Sequence, residues 1–200
     1  MKKLMKNTLV IVVVVFTALL ANANAPLNDL KDAKRTTLTL NDVKKGDELI
    51  IKNTHGIILY NESIQNYGDY TKGFDLTELP NGDYFFELNK AIKIVIIPFH
   101  VSNNIVAFKK EKGTTIFKPY VRNKKNKVYI SKLSLDQKPL AIKVYYEGIE
   151  GNDFHLIYTE TINNDSKNIG RVLSLDEKRE GRYKIVTETE GRTFVNFIHI

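Results

Sequence analysis

Cysteine is absent from all 200 residues, and that one absence removes several kinds of chemistry. A chain without cysteine has no disulfide framework and must be held by its core alone. It has no thiol nucleophile and no cysteine-ligated zinc or iron–sulfur site. It also lacks the cysteine on which lipidation at a cleavage site depends, so it is not a lipoprotein. Histidine is scarce too: His55, His100, His155 and His199 are the only four. None stands in an H-x-x-x-H or H-E-x-x-H pair, so no metal site is expected. No Gly-x-Ser-x-Gly elbow frames a serine, and Ser63, Ser102, Ser131, Ser134, Ser166 and Ser174 read as ordinary strand or loop residues. Glycine-rich phosphate loops and EF-hand loops are missing. Acids such as Asp69, Asp75, Glu78, Asp153 and Glu160 fall on turns and alternating strand positions, with no pair singled out for work across a cleft. No catalytic residue and no cofactor is expected, and the chain is read as not an enzyme.

Long apolar runs are lacking past the first 25 residues, where the composition is that of an export signal. Lys2, Lys3 and Lys6 form a positive start, residues 9–20 an apolar stretch of twelve, and Ala21-Asn22-Ala23-Asn24-Ala25 a small-residue end. Twelve is well short of the roughly 20 residues a spanning helix needs. Cleavage fits after Ala23 or after Ala25; the second would put Pro26 directly behind the scissile bond, which favours the first. No membrane span is expected once this segment is gone. The product is expected in the periplasm, on the cell surface or outside the cell. Of the formal charge of +7, three units come from those lysines and no acid offsets them, which leaves +4 on the mature chain. Both signs are interspersed along it. Such a mild excess suits solubility and weak attraction to acidic polysaccharide, and is not the footprint of a nucleic-acid binder.

What fills the mature chain is a series of short β-type segments broken by turns. Strands are predicted over 36–40, 48–53, 57–64, 70–75, 83–89, 92–101 and 104–110. Further strands are predicted over 114–121, 127–133, 140–146, 154–162, 169–173, 182–189 and 192–200. Lys45-Gly46-Asp47, His55-Gly56, Asn81-Gly82-Asp83, Lys112-Gly113, Glu150-Gly151-Asn152, Glu180-Gly181 and Glu190-Gly191 supply turns between them. Pro98 marks a bulge or the end of its strand. Only 28–35 has a helical character, and it is brief. Many short strands at this spacing predict an all-β fold of sandwich type.

An internal repeat organises the series. Leu76-x-Glu78-x3-Gly82-x-Tyr84 recurs 99 residues later as Leu175-x-Glu177-x3-Gly181-x-Tyr183. The same offset carries Phe99, His100 and Val101 onto Ile198, His199 and Ile200. Tyr60-x-Glu62-x-Ile64 matches Tyr158-x-Glu160-x-Ile162 at an offset of 98. Gly56 matches Gly148, so the second copy carries an insertion around 149–155. Two tandem sandwiches, 33–112 and 113–200, are expected behind the signal over 1–25. Gly82 and Gly181 are each expected to take a left-handed backbone angle. Tyr84 and Tyr183 are each expected to bury a ring and tie the hydroxyl to a nearby loop backbone.

The order Leu49-Ile50-Ile51-Lys52-Asn53-x2-Gly56-x-Ile58-Leu59-Tyr60, then Phe74-Asp75-Leu76-x2-Leu79-Pro80-x-Gly82-x-Tyr84-Phe85, then Ile92-Lys93-Ile94-Val95-Ile96 resembles a known module. It is similar to the C-terminal sorting module of the type IX secretion system, found on secreted proteins of Bacteroidetes-type bacteria. The resemblance covers about 45–101 and, more weakly, 138–200. It implies an immunoglobulin-like sandwich in two tandem copies and a sorting role. The second copy carries Lys178-Arg179 where the first has Leu79-Pro80.

Two surface features remain. The loop over 66–74 carries Tyr67, Tyr70 and Phe74 among polar residues, the best candidate for a ligand platform. The run Arg122-Asn123-Lys124-Lys125-Asn126-Lys127 reads as a solvated basic hairpin tip that discourages edge pairing. Together these readings predict an exported, non-catalytic protein that binds, anchors or supports assembly at the bacterial cell envelope. Its expected partner is an envelope protein or polysaccharide. The alternatives are a carbohydrate-binding accessory protein using the Tyr67 loop, and a sorting or fibre subunit in which 192–200 completes a partner's sheet.

Overall fold

A computed structural model describes residues 36–149, 151, 153–163, 166–176 and 179–200. The leader expected over 1–25, the helical turn expected over 28–35, and Glu177 and Lys178 of the repeat lie outside the described residues. The chain divides into two compact units, one containing 36–91 and 95–114, the other 92–94 and 115–200. Each is an all-β assembly of antiparallel strands, as the alternating pattern predicts.

In the first unit β1 (Thr36–Val43) pairs with β4 (Gly68–Phe74). A second sheet runs in the order β3 (Ile58–Ser63), β2 (Glu48–Asn53), β5 (Gly82–Asn89), β6 (Lys93–Ser102), β7 (Ile105–Phe108). Period-two side chains put Leu38 and Leu40 of β1 and Phe74 of β4 into one core with Leu49, Ile51, Phe86, Leu88, Phe99 and Val101 of the second sheet. Two sheets sharing one apolar interior make a sandwich. Phe86 is its hub, with ring centroids 5.2 Å from Phe74 and from Phe99. A fully buried side chain of that size contributes about 1.5–3 kcal/mol. β6 does not end at Pro98: it runs on to Ser102, and the buried side chains change parity between Ile94 and Ile97. Asn103 and Asn104 both take positive φ and close the two-residue hairpin into β7. The one helical element among the described residues is a 3-10 turn at Lys110–Lys112, where the tail of a predicted strand had been expected.

The second unit repeats this plan. β10 (Lys127–Leu133) pairs with β13 (Asn168–Ser174) and with β9 (Tyr120–Lys124). Its other sheet runs β12 (His155–Ile162), β11 (Leu140–Gly148), β14 (Gly181–Thr189), β15 (Arg192–His199). Val128, Ile130 and Ile169 from the first sheet meet Leu140, Ile142, Val144, Tyr183 and Ile185 from the second. The single strand predicted over 114–121 is two, β8 (Thr114–Phe117) and β9, parted at Lys118-Pro119. A proline has no N–H for a ladder and constrains the residue before it, so the break falls there.

The order β3-β2-β5-β6 beside β1-β4 is thus matched by β12-β11-β14-β15 beside β10-β13. Ile51 faces Tyr60 across β2 and β3, and Val144 faces Tyr158 across β11 and β12. A register shift follows at Ile51/Lys52 in one and at Val144/Tyr145 in the other. The copies differ in the connection leaving β2 or β11, which is longer in the second.

Candidate functional site

The repeated tyrosines are structural. Tyr84 donates from its hydroxyl to the Pro80 carbonyl at 2.8 Å, and Tyr183 to the Arg179 carbonyl at 3.0 Å, four residues back in each case. Both rings are buried. Of the two glycines only Gly181 has positive φ, at 152°. Gly82 does not, which corrects the expectation of a left-handed angle at both. The Asn81-Gly82-Asp83 turn is made without it.

The predicted aromatic platform does not assemble. Phe74 is buried between Tyr60, edge-on at 5.3 Å, and Phe86. Tyr70 packs on the same core and gives its hydroxyl to Glu62 at 2.9 Å. The reason is strand parity: 70, 72 and 74 alternate onto the inner side of β4. Tyr67 alone of the three is exposed.

What those inward residues build is a polar latch between β3 and β4. Glu62 accepts hydrogen bonds from Tyr60, Tyr70 and Lys72, and Lys72 Nζ also lies 2.6 Å from the Tyr60 hydroxyl. Burial alone would raise the Glu62 carboxyl, but the bonds from Lys72, Tyr60 and Tyr70 outweigh it and hold the group below its ordinary value. The second copy has the same device. Tyr158 donates to Glu160 at 2.6 Å, and the Arg171 guanidinium grips that carboxylate with two nitrogens. The Tyr158 bond, followed by Arg171, keeps Glu160 low against partial burial. In each copy the latch ties a strand of one sheet to a strand of the other.

Elsewhere, His100 and Lys109 share the Asp83 carboxylate at 2.9 and 2.7 Å. His199, its partner in the repeat, is exposed. Among the described residues no three His, Asp or Glu side chains are grouped so as to hold a metal. The basic run over 122–127 forms the β9–β10 hairpin tip, with Arg122, Lys124, Lys125 and Lys127 exposed and Lys125 at φ 54°.

The feature that singles out the second unit is a patch on the outer face of its four-stranded sheet. The longer connection after β11 brings Phe154 onto that face, 5.9 Å from the Phe197 ring. Arg182 lies 5.4 Å and Lys184 4.7 Å from the centre of the Phe154 ring, and Lys184 also stands 4.5 Å over Tyr145. Arg182 is neutralised by Glu147. Lys184 has no carboxylate partner among the described residues. Phe197 is 65% exposed, with Val195 open two residues back on the same strand, and Leu156 and Ile157 are open on β12 at the other edge of the sheet. The equivalent positions of the first unit carry Lys52, Phe85 and Pro98 in place of Tyr145, Lys184 and Phe197, so the patch belongs to one copy alone. Sequence reasoning did not assemble it, because its members come from three strands and a loop. The insertion after Gly148 was its one visible trace.

No protein-family model matches the chain, and no curated protein matches it. Eight solved chains do. One is described as a biofilm associated protein, BSP domain, at TM-score 0.27 and 11% identity, over 82% of this chain and 27% of that one. The chain therefore spans about a quarter of that structure's length.

Proposed function

We propose that this is an exported, non-catalytic sandwich protein that binds a partner at the cell envelope through the outer face of its second unit. The observation that carries the reading is the Phe154–Phe197–Tyr145 cluster with the Lys184 ammonium held over two rings. Aromatic side chains exposed beside apolar ones are uncommon on a surface with no partner. A cation above rings is attracted by about 0.5–1 kcal/mol at an exposed site and remains free to meet an anion. The partner that fits is a protein offering carboxylates next to an apolar surface. A polysaccharide would ask for more hydrogen-bonding side chains than Phe197, Val195, Leu156 and Ile157 supply.

Fractionation of a tagged chain in its native host tests this. Wild type should travel with the envelope, and Lys184→Glu or Phe197→Ser should release it into the soluble periplasm or the medium. A chain that stays in the cytoplasm contradicts export, and variants that fractionate like wild type contradict the patch. If insoluble polysaccharide retains the chain in a way that Tyr67→Ala abolishes and Lys184→Glu does not, the carbohydrate alternative takes its place. The sorting resemblance has its own arm: it implies that export fails in a host lacking type IX secretion, and export there removes it.

A further inference from the structure

The two copies differ in how their second sheet is finished. In the first unit β7 lies against β6, pairing Phe99 with Phe108 and Val101 with Val106. Phe108 stacks on Phe86 and packs at a tilt against Phe99, and both Phe99 and Val101 are fully buried. In the second unit β15 stands where β6 stands, and among the described residues no strand covers its outer edge. Ile198 and Ile200, the counterparts of Phe99 and Val101, are only half-buried.

Backbone direction follows from one pair. Ile200 and Gly181 exchange both hydrogen bonds, at 2.9 and 3.1 Å. In an antiparallel ladder such pairs alternate, so Ile198, Asn196 and Phe194 also point their backbone groups at β14. The N–H and C=O groups of Thr193, Val195, Phe197 and His199 then point to the open edge. The first unit agrees: Pro98, the counterpart of Phe197, turns its carbonyl toward β7 and accepts from Lys109 at 3.0 Å. Three of the other edge strands, β3, β12 and β9, have protection that β15 lacks. The β2–β3 and β11–β12 pairings each carry a register shift, and β9 carries Arg122 and Lys124. β15 keeps unbroken register with β14 and holds one arginine, at its start.

We infer that β15 is a self-association edge, taking the β15 of a second copy of this chain antiparallel about a two-fold axis at Asn196. This is separate from the proposed envelope partner, which meets the face of the sheet. The sequence is self-complementary in one register. With Asn196 opposite itself, Val195 faces Phe197 and Thr193 faces His199, which engages all four edge-directed residues of each copy. Phe194 then faces Ile198 on the core side, and Arg192 faces Ile200. No like charges oppose, and the half-buried Ile198 gains the cover that Phe108 gives Phe99. A continuous sheet across a two-fold axis is an isologous contact.

Sedimentation of the purified chain from micromolar to millimolar concentration tests the inference. Wild type and Val195→Thr should form dimers, since the threonine keeps the edge N–H while changing the surface. Val195→Pro should raise the dissociation constant at least about tenfold, because each copy loses a donor aimed at its partner and keeps every bond to β14. Circular dichroism of that variant should match wild type. Register has an independent check, because the chain has no cysteine of its own. Asn196→Cys should cross-link on oxidation, since residues opposed in a non-hydrogen-bonded pair have Cα atoms about 4.5 Å apart. Phe194→Cys should not. A wild type that stays monomeric throughout, a Val195→Pro chain that dimerises as tightly as wild type, or a cross-link at 194 without one at 196 overturns the proposal.

Discussion

Gly82 and Gly181 occupy the same place in the repeat, yet only one is compelled to be glycine. At Gly181 an added Cβ would fall 2.4 Å from the Glu147 carbonyl and 3.0 Å from the Tyr146 ring, and φ is already positive. At Gly82 it would meet nothing closer than the Tyr84 ring at 3.7 Å. Gly181→Ala should therefore cost about 2 kcal/mol or more, the range of a strained backbone position with an added clash. Gly82→Ala should stay within about 1 kcal/mol of wild type. Urea unfolding of both variants checks this. The spacing Gly-x-Tyr made the corner legible in sequence, because a buried tyrosine that bonds its own loop needs that short reach. The difference between the glycines was not legible, since it arises from Gly181 crossing β11 at Gly148.

At the scale of elements, strand and latch are the units of stability. Glu62 and Glu160 are held below their ordinary values, so each adds stability that is present above the unfolded carboxylate value of about 4.3 and is lost as pH falls through the lower folded value. Their partners Lys72 and Arg171 are more than a third exposed, so water screens the pairs. About 0.5–1 kcal/mol for each is expected. Glu62→Gln and Glu160→Gln should each flatten the acid limb of the stability curve between about pH 5 and pH 3. An acid limb as steep in the double variant as in wild type would contradict this role. Most strand positions were readable, since alternating side chains and glycine turns fix both face and boundary. The platform of Tyr67, Tyr70 and Phe74 failed for the same physics: Tyr70 and Phe74, four apart on one strand, share its buried face, while Tyr67 precedes the strand and stays exposed. The patch that does reach solvent draws on Tyr145, Phe154, Lys184 and Phe197, which only the fold brings together.

The whole molecule is one sandwich plan used twice and finished in two ways. The first copy covers its β6 edge with β7 and keeps Pro98 at the position where the second copy has Phe197. The second, among the described residues, leaves β15 open and adds an aromatic cluster to the adjoining face. That contrast is the basis of the binding side we propose for the second copy, and residue-resolved amide exchange on the dilute chain tests it most directly. Phe194, Asn196 and Ile198 should exchange slowly, while Thr193, Val195, Phe197 and His199 should exchange at near-unprotected rates. In the first copy His100 and Ser102, bonded to β7, should be protected. Equal protection along all of β15 in the dilute chain would mean that its edge is already covered, and would contradict the account.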